Sequence, residues 1–271
     1  MPTDIFQIDW IFIDTIIIIL LILLLIGVKI YKLTHRWRFS FSNEALEYII
    51  YRNLPLKMDN QSISNSKWTL TRNIFLREES YKKPTIVILR TNYKKRLFYI
   101  LTEGLSSYGF NVINLRLKIG FDKILIANIR QLISTVIDFL KEKDLEFNFN
   151  YILLNYSKSS FSYSSILTDP KNYGMILINP KLNNENIKNY KELFDSSHLI
   201  SQLYTIFSKR SAFILNNQNL KRFLSLYDHQ KEKKLNLITI KKANYSFNYY
   251  ETILLGMVIN LIENKLLNTK N

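Results

Sequence analysis

Six short aliphatic runs recur along this chain: "PTIVIL" (84–89), "FNVINL" (110–115), "NYILLN" (150–155), "GMILIN" (174–179), "SAFILN" (211–216) and "LNLITI" (235–240). A strand with one face in water alternates apolar and polar residues, whereas a run with almost no polar position needs cover on both faces. The intervening segments supply that cover. "RLFYILTEGLSSYG" (96–109) carries apolar residues at helical spacing and ends at Gly109, a residue type suited to the left-handed turn after a helix. "KILIANIRQLISTVIDFLKEKD" (123–144) and "YYETILLGMVINLIENKLL" (249–267) are amphipathic or apolar at the same spacing. Strands alternating with helices predict an α/β fold with a mainly parallel central sheet flanked by helices. In such sheets ligands bind beyond the carboxyl ends of the strands, so the informative residues are those just after each run.

The segments ahead of the first run read differently. "NEALEYIIY" (43–51) opens on Asn43, a good helix N-cap, and predicts a short helix. "DNQSISNS" (59–66) predicts a polar loop, and "KWTLTRNIFLRE" (67–78) an edge or hairpin strand. No long insertion is expected between 180 and 210 beyond a helical stretch or two.

The N-terminus predicts one transmembrane helix. Ile16 to Ile26 are eleven consecutive Ile or Leu residues, which favour insertion by roughly 5 kcal/mol in total. Extended from Trp10 to Ile30 the helix is about 30 Å long, enough for the hydrocarbon core, with Trp10 and Tyr31 at the two interfaces and Asp14 about one turn inside. No Lys or Arg precedes Lys29 and no small-residue cleavage site follows, which argues against a cleaved signal peptide. Lys29, Lys32, Arg36 and Arg38 lie on one flank, and Asp4, Asp9 and Asp14 on the other. The positive-inside rule then places the N-terminus outside and residues 32–271 in the cytoplasm, with the basic cluster on anionic lipid headgroups. Three regions are expected: a tail and membrane helix (1–31), a basic juxtamembrane linker with a short helix (32–66), and the α/β domain (67–271).

Composition removes several chemistries. With no cysteine there is no disulfide, thiolate nucleophile or cysteine-held metal. The six glycines form no glycine-rich loop, so no phosphate-cradling loop and no nucleotide cofactor are expected. The net charge of +15 is scattered among Asn, Tyr and Ile with no recognition motif, so nucleic acid is not the expected partner.

Residues 67–267 resemble the α/β-hydrolase superfamily of serine esterases, lipases and peptidases. "LTEGLSSYGFNVINLRL" (101–117) is similar to the helix and strand that follow the first parallel strand of that family. "YILLNYSKS" (151–159) is similar to its strand and G-x-S-x-G turn, which exposes the nucleophile. The resemblance implies Ser157 as the nucleophile position and Lys158 as the residue whose amide contributes to the oxyanion hole. "SAFILNNQNL" (211–220) is similar to the strand and turn that carry the triad acid, which implies Asn219 at the acid position, or Leu220 with a one-residue slip. "LNLITIKKANYSF" (235–247) is similar to the last strand and its histidine loop, which implies Tyr245 at the histidine position.

Several positions depart from the family pattern together. Asn155 and Ser159 replace the two elbow glycines, and Arg90 and Thr91 stand where a His-Gly pair precedes the oxyanion loop. A serine needs a base within hydrogen-bond reach and an acid to orient that base. Tyrosine, with an ordinary pKa near 10, is no base at neutral pH, and an asparagine supplies no charge. Of the three histidines, His35 is juxtamembrane, His198 lies in "DSSHLIS" and His229 in "YDHQKEKK". Ser157 also suits the N-cap of the helix that follows it. The resulting expectation is a membrane-anchored, catalytically inactive hydrolase-fold protein that binds a small molecule or lipid, or holds a partner protein at the membrane. The alternative is a working serine hydrolase using Ser157.

Overall fold

The computed structural model describes residues 10–37, 46–52, 56–58, 61–63, 67–90, 95–116, 129–143, 145, 148–156, 166–180, 202–209, 221–222, 224–225 and 236–268. Two compact units result, residues 1–40 and 41–271.

In the first unit, Trp10–Trp37 form one helix, α1, of 28 residues. Its described side chains, 14–30, are all exposed. No helical stretch among the described residues is long and apolar enough to cross a membrane.

In the second unit, eight strands form one sheet. They are β1 (Leu46–Arg52), β4 (Lys67–Asn73), β5 (Thr85–Arg90), β6 (Val112–Arg116), β7 (Tyr151–Tyr156), β8 (Asn172–Ile178), β9 (Leu203–Lys209) and β10 (Asn236–Lys241). Two short strands, β2 (Leu56–Met58) and β3 (Gln61–Ile63), make a separate hairpin. The spatial order of the main sheet is β1-β4-β6-β5-β7-β8-β9-β10. From β6 to β10 every neighbouring pair is parallel, while β4 runs antiparallel to both β6 and β1. Among the described residues, four helices accompany the sheet: α2 (Arg77–Ser80), α3 (Lys95–Ser107), α4 (Ile129–Glu142) and α5 (Glu251–Leu261), the last continuing as a π-helical turn over Ile262–Leu267.

Each face of the sheet is closed by apolar side chains. On one face Ile86, Ile88, Ile152, Leu154, Ile176, Ile178 and Ile206 pack with Leu97, Leu101 and Leu105 of α3 and with Leu254, Val258 and Leu261 of α5. Their neighbours along the strands, Val87, Leu89, Leu153, Met175 and Leu177, point to the other face and are equally buried. Helix α4 buries Leu132, Ile133, Val136, Ile137 and Leu140, and its Phe139 meets Trp68 of β4 edge-on at 5.8 Å. The runs at 84–89, 110–115, 150–155 and 174–179 therefore lie in strands covered on both faces, as their composition requires. Ile86, Val87, Ile88, Ile152, Leu153, Ile176 and Ile178 are all fully buried.

Two glycines are needed where they stand. Gly109 has φ +91°, and it closes α3 with Gly109 N–H donating to Ser106 O (2.9 Å) and Phe110 N–H to Leu105 O (3.1 Å). Gly104 lies where α3 meets α5, and a Cβ there would collide with the Leu255 side chain.

The sequence reading is corrected in three places. Residues 46–51 of the expected helix 43–51 lie in strand β1, which pairs with β4 along its full length from Leu46↔Asn73 to Arg52↔Lys67. The run Tyr48-Ile49-Ile50-Tyr51 is aromatic and β-branched, residue types that lose side-chain freedom in a helix and pack well on a pleat. Consequently β4 is an inner strand, and the sheet begins at 46. The polar loop expected over 59–66 includes β3, whose hairpin with β2 rests on backbone pairing that a polar sequence does not advertise. The third correction is β9, which comes from "LYTIFSK" (203–209), within a region expected to be helical. It pairs with β8 on one side and β10 on the other, the place expected for "SAFILN", which itself lies outside the described residues.

Arg72, in β4, is 1% exposed and reaches Glu47 of β1 through two bonds, Nε–Oε2 at 2.7 Å and Nη2–Oε1 at 3.1 Å. Its Nη1 finds no hydrogen-bond partner among the described residues. The guanidinium bond, followed by the charge of Arg72, holds the Glu47 carboxyl below its ordinary value of 4.5 against the opposing effect of burial.

Two measurements check this account. Replacing Ile152 by Asp puts an unpaired carboxylate between two apolar layers and should cost more than about 4 kcal/mol, leaving no cooperative unfolding transition. Glu47→Gln should lower stability by about 1–2 kcal/mol at neutral pH, discounted because the Glu47 side chain is 34% exposed. A carboxyl with a depressed folded pKa stabilises above its unfolded value, so the deficit should be full above pH 4.5 and close as pH falls below it. Urea titrations at neutral and acid pH measure the difference; an equal deficit at both would refute the ion-pair origin.

Candidate functional site

At the carboxyl end of the sheet, β7, β8, β9 and β10 each deliver one residue to a single polar and aromatic cluster. Strand β7 ends at Tyr156, whose ring sits edge-on to Phe98 of α3 at 5.6 Å and to Tyr245 at 5.9 Å. Tyr245 lies in the loop between β10 and α5. The Tyr156 hydroxyl donates to the Tyr245 carbonyl at 2.6 Å. Asn179, just after β8, donates from Nδ2 to the same carbonyl at 2.9 Å and to Ser208 Oγ of β9 at 3.1 Å. The backbone N–H of Ser208 returns a bond to Asn179 Oδ1 at 2.7 Å, and Asn179 N–H reaches Ile206 O at 2.8 Å. One asparagine thus ties the ends of β8 and β9 to the β10–α5 loop.

The loop is held in an unusual shape. Among the described residues, the non-glycine positions with positive φ are Asn179 (45°), Lys242 (64°), Phe247 (53°) and Tyr249 (68°), all at this end of the sheet. Each costs about 1–2 kcal/mol unless its surroundings fix it, and such residues cluster where geometry serves function. Here Asn244 Oδ1 accepts from Ser246 N–H (3.1 Å) and Asn248 N–H (2.9 Å), while Phe247 is fully buried. Tyr245 and Tyr250 pack against the core, and Tyr249 is exposed. Helix α5 then starts with Glu251, whose buried carboxylate meets Arg96 of α3 at 3.3 Å. A carboxylate in the first turn also suits the positive end of the helix dipole.

Burial, then the nearby Tyr245, pushes the Tyr156 phenol far above the ordinary tyrosine range, with the Asn179 amide acting weakly the other way. Tyr156 therefore stays protonated and serves as a fixed donor to the loop, with no part as a base.

Of the sequence-assigned site residues, Tyr245 is the described one; Ser157, Lys158 and Asn219 lie outside the described residues, as do His198 and His229. Arg90 ends β5, and Asn155 is buried in β7 between Leu89 and Leu177. The contact between Tyr245 and Tyr156 brings the loop after the last strand beside the residue that precedes Ser157. Strand β9 ends at Lys209, ten residues before Asn219. No aspartate or glutamate occurs in the sequence between Asp195 and Asp228. Tyr156, Asn179 and Ser208 were not found from the sequence. The only signal was their place directly at a strand end, which many structural residues share.

Asn179→Gly keeps the left-handed backbone but removes three side-chain bonds, and should lower stability by about 2 kcal/mol; Asn179→Ala should lose about 1 kcal/mol more by straining φ. Tyr156→Phe, which removes one donor from a doubly bonded carbonyl, should cost about 1 kcal/mol. Denaturant midpoints rank the three. A Gly variant weaker than the Ala variant would show that φ is not strained there.

No protein-family model and no curated protein sequence matches the chain. Solved structures do. A ferulic acid esterase superposes with TM-score 0.55 at 7% identity, covering 82% of this chain and 99% of its own. An alpha-beta serine hydrolase homologue from Coxiella burnetii matches with TM-score 0.52 at 12% identity, over 79% of this chain and 96% of its own. Esterase B from Lactobacillus rhamnosis gives TM-score 0.50 at 14% identity, over 95% and 97%. At such identities the likeness is one of fold, and the fold is that of the α/β hydrolases.

Proposed function

We propose that this chain is a membrane-anchored α/β-hydrolase-fold protein whose cleft at the strand ends binds a small molecule or lipid, or holds a partner protein, without hydrolysing it. The observation that carries the reading is the β10–α5 loop. Where the hydrolase resemblance implies a histidine, the loop has Tyr245, its carbonyl clamped by Tyr156 and Asn179 and its ring set against Tyr156. Residues 242–250 contain no histidine, and residues 196–227 contain no acid. From these two segments a serine at 157 would receive neither the base that removes its proton nor the charge that orients that base.

Anchoring is supported by α1. From Ile16 to Ile26 its side chains are 41–66% exposed, a continuous aliphatic surface that water tolerates poorly and a bilayer accepts. The basic flank from Lys29 to Arg38 favours a cytoplasmic domain and contact with anionic headgroups.

A working serine hydrolase is the second reading. It is favoured by Ser157 following β7 directly, as the nucleophile does in the fold, and by the esterases among the structural neighbours. The two readings separate on one experiment with the full chain in detergent. General-base catalysis contributes about 10²–10⁴-fold, so without it nitrophenyl ester hydrolysis should equal that of Ser157→Ala, and a fluorophosphonate probe should label neither. Turnover that depends on Ser157 would establish the hydrolase instead.

A further inference from the structure

Phe75 is 78% exposed and Ile74 beside it 43% exposed, at the turn between β4 and α2. This is a built presentation. The Asn73 side chain, itself buried, accepts from Phe75 N–H at 2.9 Å and Leu76 N–H at 3.3 Å, holding the turn so that its apolar tip faces outward. The local charges nearly cancel, with Arg77 and Lys82 against Glu78 and Glu79, all exposed, while Lys83 is engaged with Glu263.

Strand register fixes where this tip lies. Thr71 of β4 pairs with Val112, the first residue of β6, so Asn73 and the turn after it are at the amino end of the parallel strands. Tyr156, Asn179 and Tyr245 are at the opposite end, a strand length of about 20 Å away. Leu46, the first residue of β1, pairs with Asn73, so the first strand of the sheet starts at this same corner.

We propose that the Ile74–Phe75 turn is a second contact of this protein with the bilayer. The proposal rests on the anchoring of α1 argued above. An exposed aromatic–aliphatic tip on a nearly neutral corner suits the headgroup–acyl boundary, and the chain's net charge of +15 draws the domain toward an anionic leaflet. The domain then stands on its amino-end corner with the strand carboxyl ends turned to the aqueous side. Of the ligand classes open to the cleft, this selects a water-borne molecule or the exposed segment of a partner over a lipid drawn from the bilayer.

The test uses the whole chain, whose lack of cysteine makes a single introduced thiol unique. Phe75→Cys and, at the other end, Tyr249→Cys are labelled with an environment-sensitive fluorophore. Each is reconstituted in phosphatidylcholine vesicles containing phosphatidylglycerol and lipid-borne nitroxide quenchers at shallow depth. An alkaline wash reports whether α1 is inserted. The expected result is wash-resistant protein with quenching at 75 at least about twofold that at 249. A label on Glu78→Cys, which keeps Phe75, should also be quenched and should lose that quenching when Phe75 is changed to Ser. Wash-resistant protein with no quenching at 75, or equal quenching at 249, would overturn the corner contact and leave anchoring intact. Protein released by the wash would overturn the anchoring itself, and this proposal with it.

Discussion

Strands β5, β7 and β8 lie side by side, Ile86 against Ile152 and Ile152 against Gly174, with side chains on both faces shut away from water. Backbone N–H and C=O groups in that layer have no solvent to turn to, so each must pair with a neighbouring strand or carry a desolvation cost of about 1–3 kcal/mol. Parallel pairing in turn requires crossover connections, which carry α3 and α4, while α5, after the last strand, packs in the same core cluster as α3. All carboxyl ends of β5 to β10 then open at one end. That alignment creates a place where residues far apart in sequence, Tyr156, Asn179, Ser208 and Tyr245, can meet.

The cluster they form is built for rigidity. Asn179 uses its backbone and both ends of its side chain to join three elements, and Tyr156 adds a phenol that burial keeps protonated. In a hydrolase the corresponding loop must leave a histidine ring free to take a proton and give it back. Here the loop holds three non-glycine residues at positive φ and is fixed by its carbonyl. The Arg96–Glu251 pair reinforces it by joining the starts of the two helices that flank the cluster.

Much of the core was legible because burial on both faces leaves a direct compositional mark. "PTIVIL", "NYILLN" and "GMILIN" could hardly be anything but inner strands, and Gly109 announced the end of α3. The misreadings fall where local pattern and long-range pairing disagree. "LEYIIYR" has an N-cap nearby and no strict alternation, yet β4 offers it a full antiparallel edge. "LYTIFSK" is short and mixed in composition, and its place between β8 and β10 is what identifies it as a strand. The site was less legible still. Tyr245 could be placed by its position after the last strand, whereas Asn179 and Ser208 are ordinary polar residues until the sheet brings them within bonding distance.

By itself the sequence determined the class of fold, the positions of most helices and inner strands, and the lack of a histidine in the loop after the last strand. Those properties are local: they depend on which residues stand next to one another and on which types the chain contains. Tertiary structure alone decided that Arg72 is buried against Glu47, that Tyr156 bonds the Tyr245 carbonyl, and that Phe75 projects at the end of the sheet opposite that bond. These depend on strand order and register, which arise from the joint burial of segments up to some two hundred residues apart along the chain, a quantity that no single window of sequence contains.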